Sequence, residues 1–320
     1  MQKYFFILLT LLLTVACSNA SKKKSETEKP LLTVTIEPQR YFLEQLAGDD
    51  YSINTLVPPG TSPETYEPSP SVMIDLGKSA IYFRVGDLGF EKAWSRRLAE
   101  NNPEVTIVDC SVGIELMAGE LHDHDHDHDH DHGDHGNHGD HADHADHAGQ
   151  DHISGSLDPH VWSSPSAMRI FARNMLDALV KTNPERAEFY RENHRHLSEK
   201  IDAVDSTLTA LLTNAPSRSF IIYHPALGYL ARDYGLRQHS IEFEGKNPSP
   251  AQLKELVDLA RREEISTIFV QRGFDLKNGE VIAREIGAEL FEIDPLRYEW
   301  DEELIGIATI LSRQRDEQTD

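Results

Sequence analysis

The chain has 320 residues, with 31 Lys and Arg against 54 Asp and Glu and a formal net charge of −23. Such an excess of negative charge repels nucleic acid and anionic lipid, so a nucleic-acid partner is excluded from the reading. Two cysteines, Cys17 and Cys110, are too few for a disulfide framework or a thiolate cluster; any metal site must be built from nitrogen and oxygen.

Residues 1–16 read as a signal peptide. Lys3 precedes an apolar run from Tyr4 to Ala16, too short for the roughly 20 residues a membrane-spanning helix needs. The run ends Leu13-Thr14-Val15-Ala16-Cys17, which resembles a bacterial lipobox with Thr14 where Leu is usual, so Cys17 is the candidate lipidation site. Residues 17–30, rich in Ser, Lys and Glu without apolar periodicity, read as a tether. An exported protein follows, periplasmic or at the cell surface, whose membrane contact runs through the lipid.

Beyond the tether, β-branched runs recur at Leu31 to Ile36, Ser52 to Val57, Ala80 to Val85 and Val105 to Asp109, with helix-like segments between them. The alternation returns at Ser219 to Tyr223, His239 to Phe243, Ser266 to Gln271 and Glu289 to Ile293, separated by Pro250 to Glu264 and Lys277 to Gly287. Two α/β lobes, each with a parallel four-stranded sheet, account for both series. The spacing of Tyr190, Asn193, Leu197, Ile201, Val204, Leu208 and Leu211 predicts a long amphipathic helix over Pro184 to Leu212. Ser164 and Pro165 mark the start of an earlier helix reaching Lys181. The expected organisation is an N-terminal lobe over 31–163, a helical region over 164–213 that joins the lobes, and a C-terminal lobe over 214–320.

The N-terminal lobe is interrupted at 118–152 by a tract that cannot pack a core. It carries His122, His124, His126, His128, His130, His132, His135, His138, His141, His144, His147 and His152, interleaved with ten Asp. Imidazole and carboxylate at this density suit borderline divalent ions in weak, interchangeable sites. A solvated spacer is the plainer alternative, but a spacer needs no imidazole.

A fixed site calls for metal-type side chains at the carboxyl ends of parallel strands, where open α/β sheets bind their ligands. Four positions answer. Glu64 lies in the proline-stiffened loop after Ser52 to Val57, and His160 ends Asp158-Pro159-His160. His224 follows Phe220-Ile221-Ile222-Tyr223 directly, and Asp294 follows Leu290-Phe291-Glu292-Ile293. Singly, each has an ordinary structural explanation: a hydrogen-bonded loop histidine, or an aspartate capping a turn. Together they place two imidazoles and two carboxylates in a cleft between lobes, a set that Zn²⁺ accepts. Glu67, Glu242, Glu244 and Gln271 also lie near strand ends, where hydrogen bonds to ligand imidazoles or contacts between lobes are their expected roles. His194 and His196 are expected to face solvent, and His239 to be structural.

The motifs resemble those of the zinc- and manganese-specific solute-binding proteins of ABC importers. Pro59-Gly60-Thr61-Ser62-Pro63-Glu64-Thr65-Tyr66-Glu67-Pro68, Asp158 to Trp162, Tyr223 to Leu230, Glu242 to Pro250, and Phe269-Val270-Gln271 with Asp294-Pro295-Leu296 stand in the family's order. The resemblance covers nearly everything from Leu31 onward, and zinc members often carry a His-rich acidic loop before the Asp-Pro-His motif. It implies two (β/α)₄ lobes, a rigid linking helix and capture of a metal for a permease driven by a separate ATPase. The family's first ligand is usually His, where this chain has Glu64. Manganese members use two histidines and two carboxylates, but with Glu where this chain has His224. Zn²⁺ is therefore the expected ligand and Mn²⁺ the alternative. The expected molecule is a monomer with no catalytic step of its own. The rivals are an adhesin or metal-storage protein on the same fold and a zinc hydrolase. No H-E-x-x-H signature supports the hydrolase, and four protein ligands leave no open position for water.

Overall fold

The computed structural model describes residues 29–86, 88–119, 157–242 and 246–313. Cys17, the twelve histidines of the 118–152 tract and Glu244 lie outside them.

The described residues form two parallel four-stranded sheets. In the first, β1 (Leu31–Val34), β2 (Ser52–Thr55), β3 (Ile81–Arg84) and β4 (Thr106–Asp109) lie in the order β2-β1-β3-β4. In the second, β5 (Ser219–Ile222), β6 (Arg237–Ser240), β7 (Thr267–Gln271) and β8 (Glu289–Ile293) repeat that order as β6-β5-β7-β8. Parallel neighbours need crossover helices. These are α1 (Glu37–Ala47), α2 (Pro70–Leu76) and α3 (Gly89–Asn101) in one lobe. In the other they are α6 (Gly228–Asp233), α7 (Pro250–Arg262) and α8 (Lys277–Ile286). Two central strands explain their apolar runs: β5 is buried along its whole length, and so is β3 apart from its last residue, Arg84. Each order reverses beside its first strand, between β1 and β3 and between β5 and β7, which opens a crevice at the carboxyl ends of those strands.

Between the sheets run α4 (Pro165–Thr182) and α5 (Ala187–Leu212), and the chain returns over them in α9 (Trp300–Leu311). Helix α4 begins where expected: the Ser164 hydroxyl accepts from the backbone N–H of Ala167, with Pro165 in the first turn. Residues 184–186 form a 3₁₀ turn, so the long helix starts at Ala187 rather than Pro184. Its apolar stripe, Tyr190, Leu197, Ile201, Val204, Leu208 and Leu212, is buried, and it packs against α1 from one lobe and α9 from the other. This helix bridges the lobes. His196 is exposed as expected, whereas His194 is half-buried; its burial and the nearby Arg173 charge hold its pKa below the usual histidine range.

A second tie crosses between lobes just after β8. The Trp300 indole N–H donates to the Trp162 carbonyl at 2.7 Å, and the Tyr298 hydroxyl donates to Glu44 Oε2 at 2.5 Å. Tyr41, Phe42, Tyr298 and Trp300 pack ring against ring around these bonds. Strand β6 lies at Arg237–Ser240, two residues earlier than expected. As an edge strand it carries an exposed Arg237 and a half-buried Gln238 whose Oε1 accepts the Leu227 N–H, which is why its first residues do not read as a strand.

Candidate metal centre

His160 sits just after the Asp158-Pro159 pair. One carboxylate oxygen of Asp158 accepts both the His160 backbone N–H at 2.9 Å and the ring Nδ1–H at 2.7 Å, so the turn and the ring are fixed by one atom. Asp158 is itself held, its carbonyl accepting the Tyr229 hydroxyl at 2.7 Å. His160 is 4% exposed.

His224 is positioned as tightly, from the other lobe. It lies two residues beyond β5, and the Gln271 side chain grips its peptide groups from both sides. Gln271 Oε1 accepts from the His224 N–H at 3.2 Å, and Gln271 Nε2 donates to the His224 carbonyl at 2.5 Å. Phe274 stacks on the ring with planes 10° apart, and Nδ1 donates to Glu242 Oε2 at 2.9 Å. An ionised carboxylate only accepts, so Nδ1 of each ring carries a proton and Nε2 of each faces the cleft. A carboxylate behind a metal-facing imidazole fixes its tautomer and raises its basicity.

Glu64 closes the set from the loop after β2. Its Oε2 lies 3.0 Å from His224 Nε2 and its Oε1 3.4 Å from His160 Nε2, while the two Nε2 atoms stand 3.2 Å apart. These three residues offer ligand atoms that all fall within 4.8 Å of one another. The electrostatics suit a cation. Burial would lower the His224 pKa, but hydrogen bonds to Glu242 and Glu64 and their negative charges outweigh it and lift it to about 9. Burial likewise raises the Glu64 pKa, yet its hydrogen bond to His224 and the charges of both histidines hold it below the usual carboxylate range.

Asp294 lines the same cavity but is not among the converging three. Its carboxylate faces Arg272, with Nη1 3.4 Å from Oδ2, and its backbone N–H donates to Glu303 at 2.8 Å. Glu242 and Gln271 hold His224, the role their positions suggested, while Glu67 is exposed. Asp158 was given no role in advance, although an Asp two residues before a His is the spacing of this turn. Arg272 and Phe274 carried no signal. The cavity offers about 50 Å³, room for an ion with a few waters.

A two-lobed parallel-sheet protein whose cleft holds two carboxylate-backed imidazoles and a third carboxylate belongs to the metal-binding class of solute-binding proteins. Residues 32–310 match the family described as zinc-uptake complex component A, periplasmic (ZnuA), and the chain belongs to it. The chain is 28% identical to the high-affinity zinc uptake system protein ZnuA of Bacillus subtilis, over 98% of this chain and 94% of that one. It is also 28% identical to the zinc-binding lipoprotein AdcA of Streptococcus pneumoniae, covering 92% of this chain but 56% of the relative, so it spans about half of that longer protein. A crystal structure of ZnuA superimposes with a TM-score of 0.75 at 30% identity, over 89% of this chain and 98% of that one. Zinc capture for an ABC-type importer is the function of this family, and zinc is the ligand it implies here. Among the described residues no helix is long and apolar enough to cross a membrane.

Proposed function

We propose that this chain captures one Zn²⁺ through His160 Nε2, His224 Nε2 and the Glu64 carboxylate, with Asp294 supplying the fourth ligand, and hands it to a membrane permease driven by a separate ATPase. The observation that carries the reading is the convergence of both Nε2 atoms and Glu64 on one point, with each Nδ1 committed to a carboxylate. The lobes over 31–163 and 214–320 present the site and the helical region over 164–213 holds their spacing. Cys17 carries the lipid that tethers the exported chain, and the chain works as a monomer without a catalytic step. The histidines from His122 to His152 collect metal weakly around the cleft and do not supply the tight site.

Manganese is the second reading. Glu64 turns both oxygens toward the imidazoles, and carboxylate oxygen favours harder ions. The experiment is a titration of the chain, with and without residues 118–152, with Zn²⁺ and then Mn²⁺ against a competing chelator. One tight Zn²⁺ equivalent surviving the deletion supports the zinc reading; tight Mn²⁺ binding with weak Zn²⁺ binding replaces it with the second. Loss of the tight equivalent on deletion places the binder in the tract and overturns both.

A further inference from the structure

We infer that Arg272 sets the affinity of the site by holding Asp294 in reserve: metal entry exchanges the Asp294 carboxylate from guanidinium to ion, and metal release is helped by the reverse exchange. The inference rests on the reading of Asp294 as the fourth ligand.

The placement follows from the sheet. Strands β7 and β8 pair in parallel up to Gln271↔Ile293, and the Arg272 N–H continues the ladder by donating to the Ile293 carbonyl at 2.8 Å. The next residue on each strand is Arg272 on one and Asp294 on the other, so the pair is fixed by register and not by a flexible loop. Both line the metal cavity. Arg272 reaches Asp294 Oδ2 at 3.4 Å, and its Nε lies 3.7 Å from Glu292 Oε1. Asp294 is 27% exposed and Arg272 66%, so the pair stands at the mouth of the cavity, screened by solvent and free to exchange. A guanidinium does not lose its proton, so the competition persists at every working pH. The carboxylate of Asp294 is thereby held at the edge of the cavity by the Arg272 guanidinium. Glu64, His160 and His224 already converge, while the proposed ligand paired with a guanidinium is the one that stands aside.

The geometry makes Arg272 a positioning residue whose removal tightens binding. An exposed ion pair of this kind corresponds to about two- to fivefold in affinity. The test uses the full chain, with zinc Kd measured by competition with a tight chelator and zinc release by stopped flow, in the unmutated protein, Arg272→Gln, Arg272→Lys, Asp294→Asn and the double variant Arg272→Gln/Asp294→Asn. The expected result is a Kd about two- to fivefold lower and a proportionally slower release for Arg272→Gln, with values near the unmutated protein for Arg272→Lys. Asp294→Asn weakens binding, and adding Arg272→Gln to it changes nothing further. An unchanged Kd and release rate in Arg272→Gln overturns the inference while leaving the zinc site standing. So does tightening that persists in the Asp294→Asn background, which makes Arg272 a mere source of repulsive field, or an Asp294→Asn variant that binds as tightly as the unmutated chain. Absence of a tight zinc equivalent in the unmutated chain overturns both this inference and the reading it rests on.

Discussion

Nε2 of His160 and Nε2 of His224 stand 3.2 Å apart, although 64 residues separate them in the chain. Two neutral imidazoles cannot aim their lone pairs at each other at that distance without a proton or a cation between them. With both Nδ1 atoms donating to carboxylates, the pair is arranged for a cation that takes the place of the proton His224 holds.

Replacing either ring removes a ligand outright. His160→Ala and His224→Ala should each weaken zinc binding by more than the roughly 10- to 100-fold typical of residues behind the ligands. Chelator competition measures it, and circular dichroism should show the fold retained. Retention of the unmutated affinity by either variant contradicts the assignment.

The residues behind the rings have their own signature. Asp158→Asn and Glu242→Gln keep size and remove charge, so each should cost roughly 10- to 100-fold in zinc affinity while all proposed ligands remain. Isothermal titration of each variant checks this, and an unchanged affinity would show that the carboxylates do not tune the imidazoles.

Acidity should oppose binding in a defined window. The folded pKa of His224 is raised to about 9, so metal must displace its proton throughout the neutral range. From this group alone the apparent affinity rises about tenfold per pH unit up to about pH 9 and then levels off. Zinc titrations in buffers of different ionisation enthalpy should register at least about one proton released per ion at pH 7.5; no release is the contrary result. The sign for the apo protein is the opposite. A raised folded pKa contributes stability that is fully present below the unfolded value of 6.5 and lost as pH rises through about 9.

The tie between lobes carries weight for the site. Trp300 is 2% exposed, packs on Phe42 and donates to Trp162, six residues beyond Asp294. Trp300→Ala should destabilise the chain by about 3–5 kcal/mol in urea unfolding. Zinc affinity should fall with it, because the segment carrying Asp294 loses its anchor. A loss under about 1 kcal/mol would show that the tie is incidental.

Much of this was readable along the chain, because buried parallel strands announce themselves as apolar runs and the ends of such strands are where ligands gather. The converging His224 and Glu64 were singled out that way, and His160 by its place beside the tract. What escaped depends on contacts between distant segments. Arg272 meets Asp294 only because β7 and β8 pair in a register that no local pattern states. Phe274 meets the His224 ring through the fold alone. The start of β6 was missed because an edge strand can leave Arg237 exposed and pair Gln238 with the Leu227 N–H. Asp158 is the exception: its turn is local, and Asp-Pro-His already contains it.

The most direct measurement is anomalous diffraction at the zinc edge from crystals of the zinc-loaded chain. One strong peak is expected about 2.0–2.1 Å from Nε2 of His160 and Nε2 of His224, with Glu64 and Asp294 oxygens completing a four-coordinate shell. A peak elsewhere, or a cleft empty of zinc while the metal sits on the His/Asp-rich tract, would contradict it.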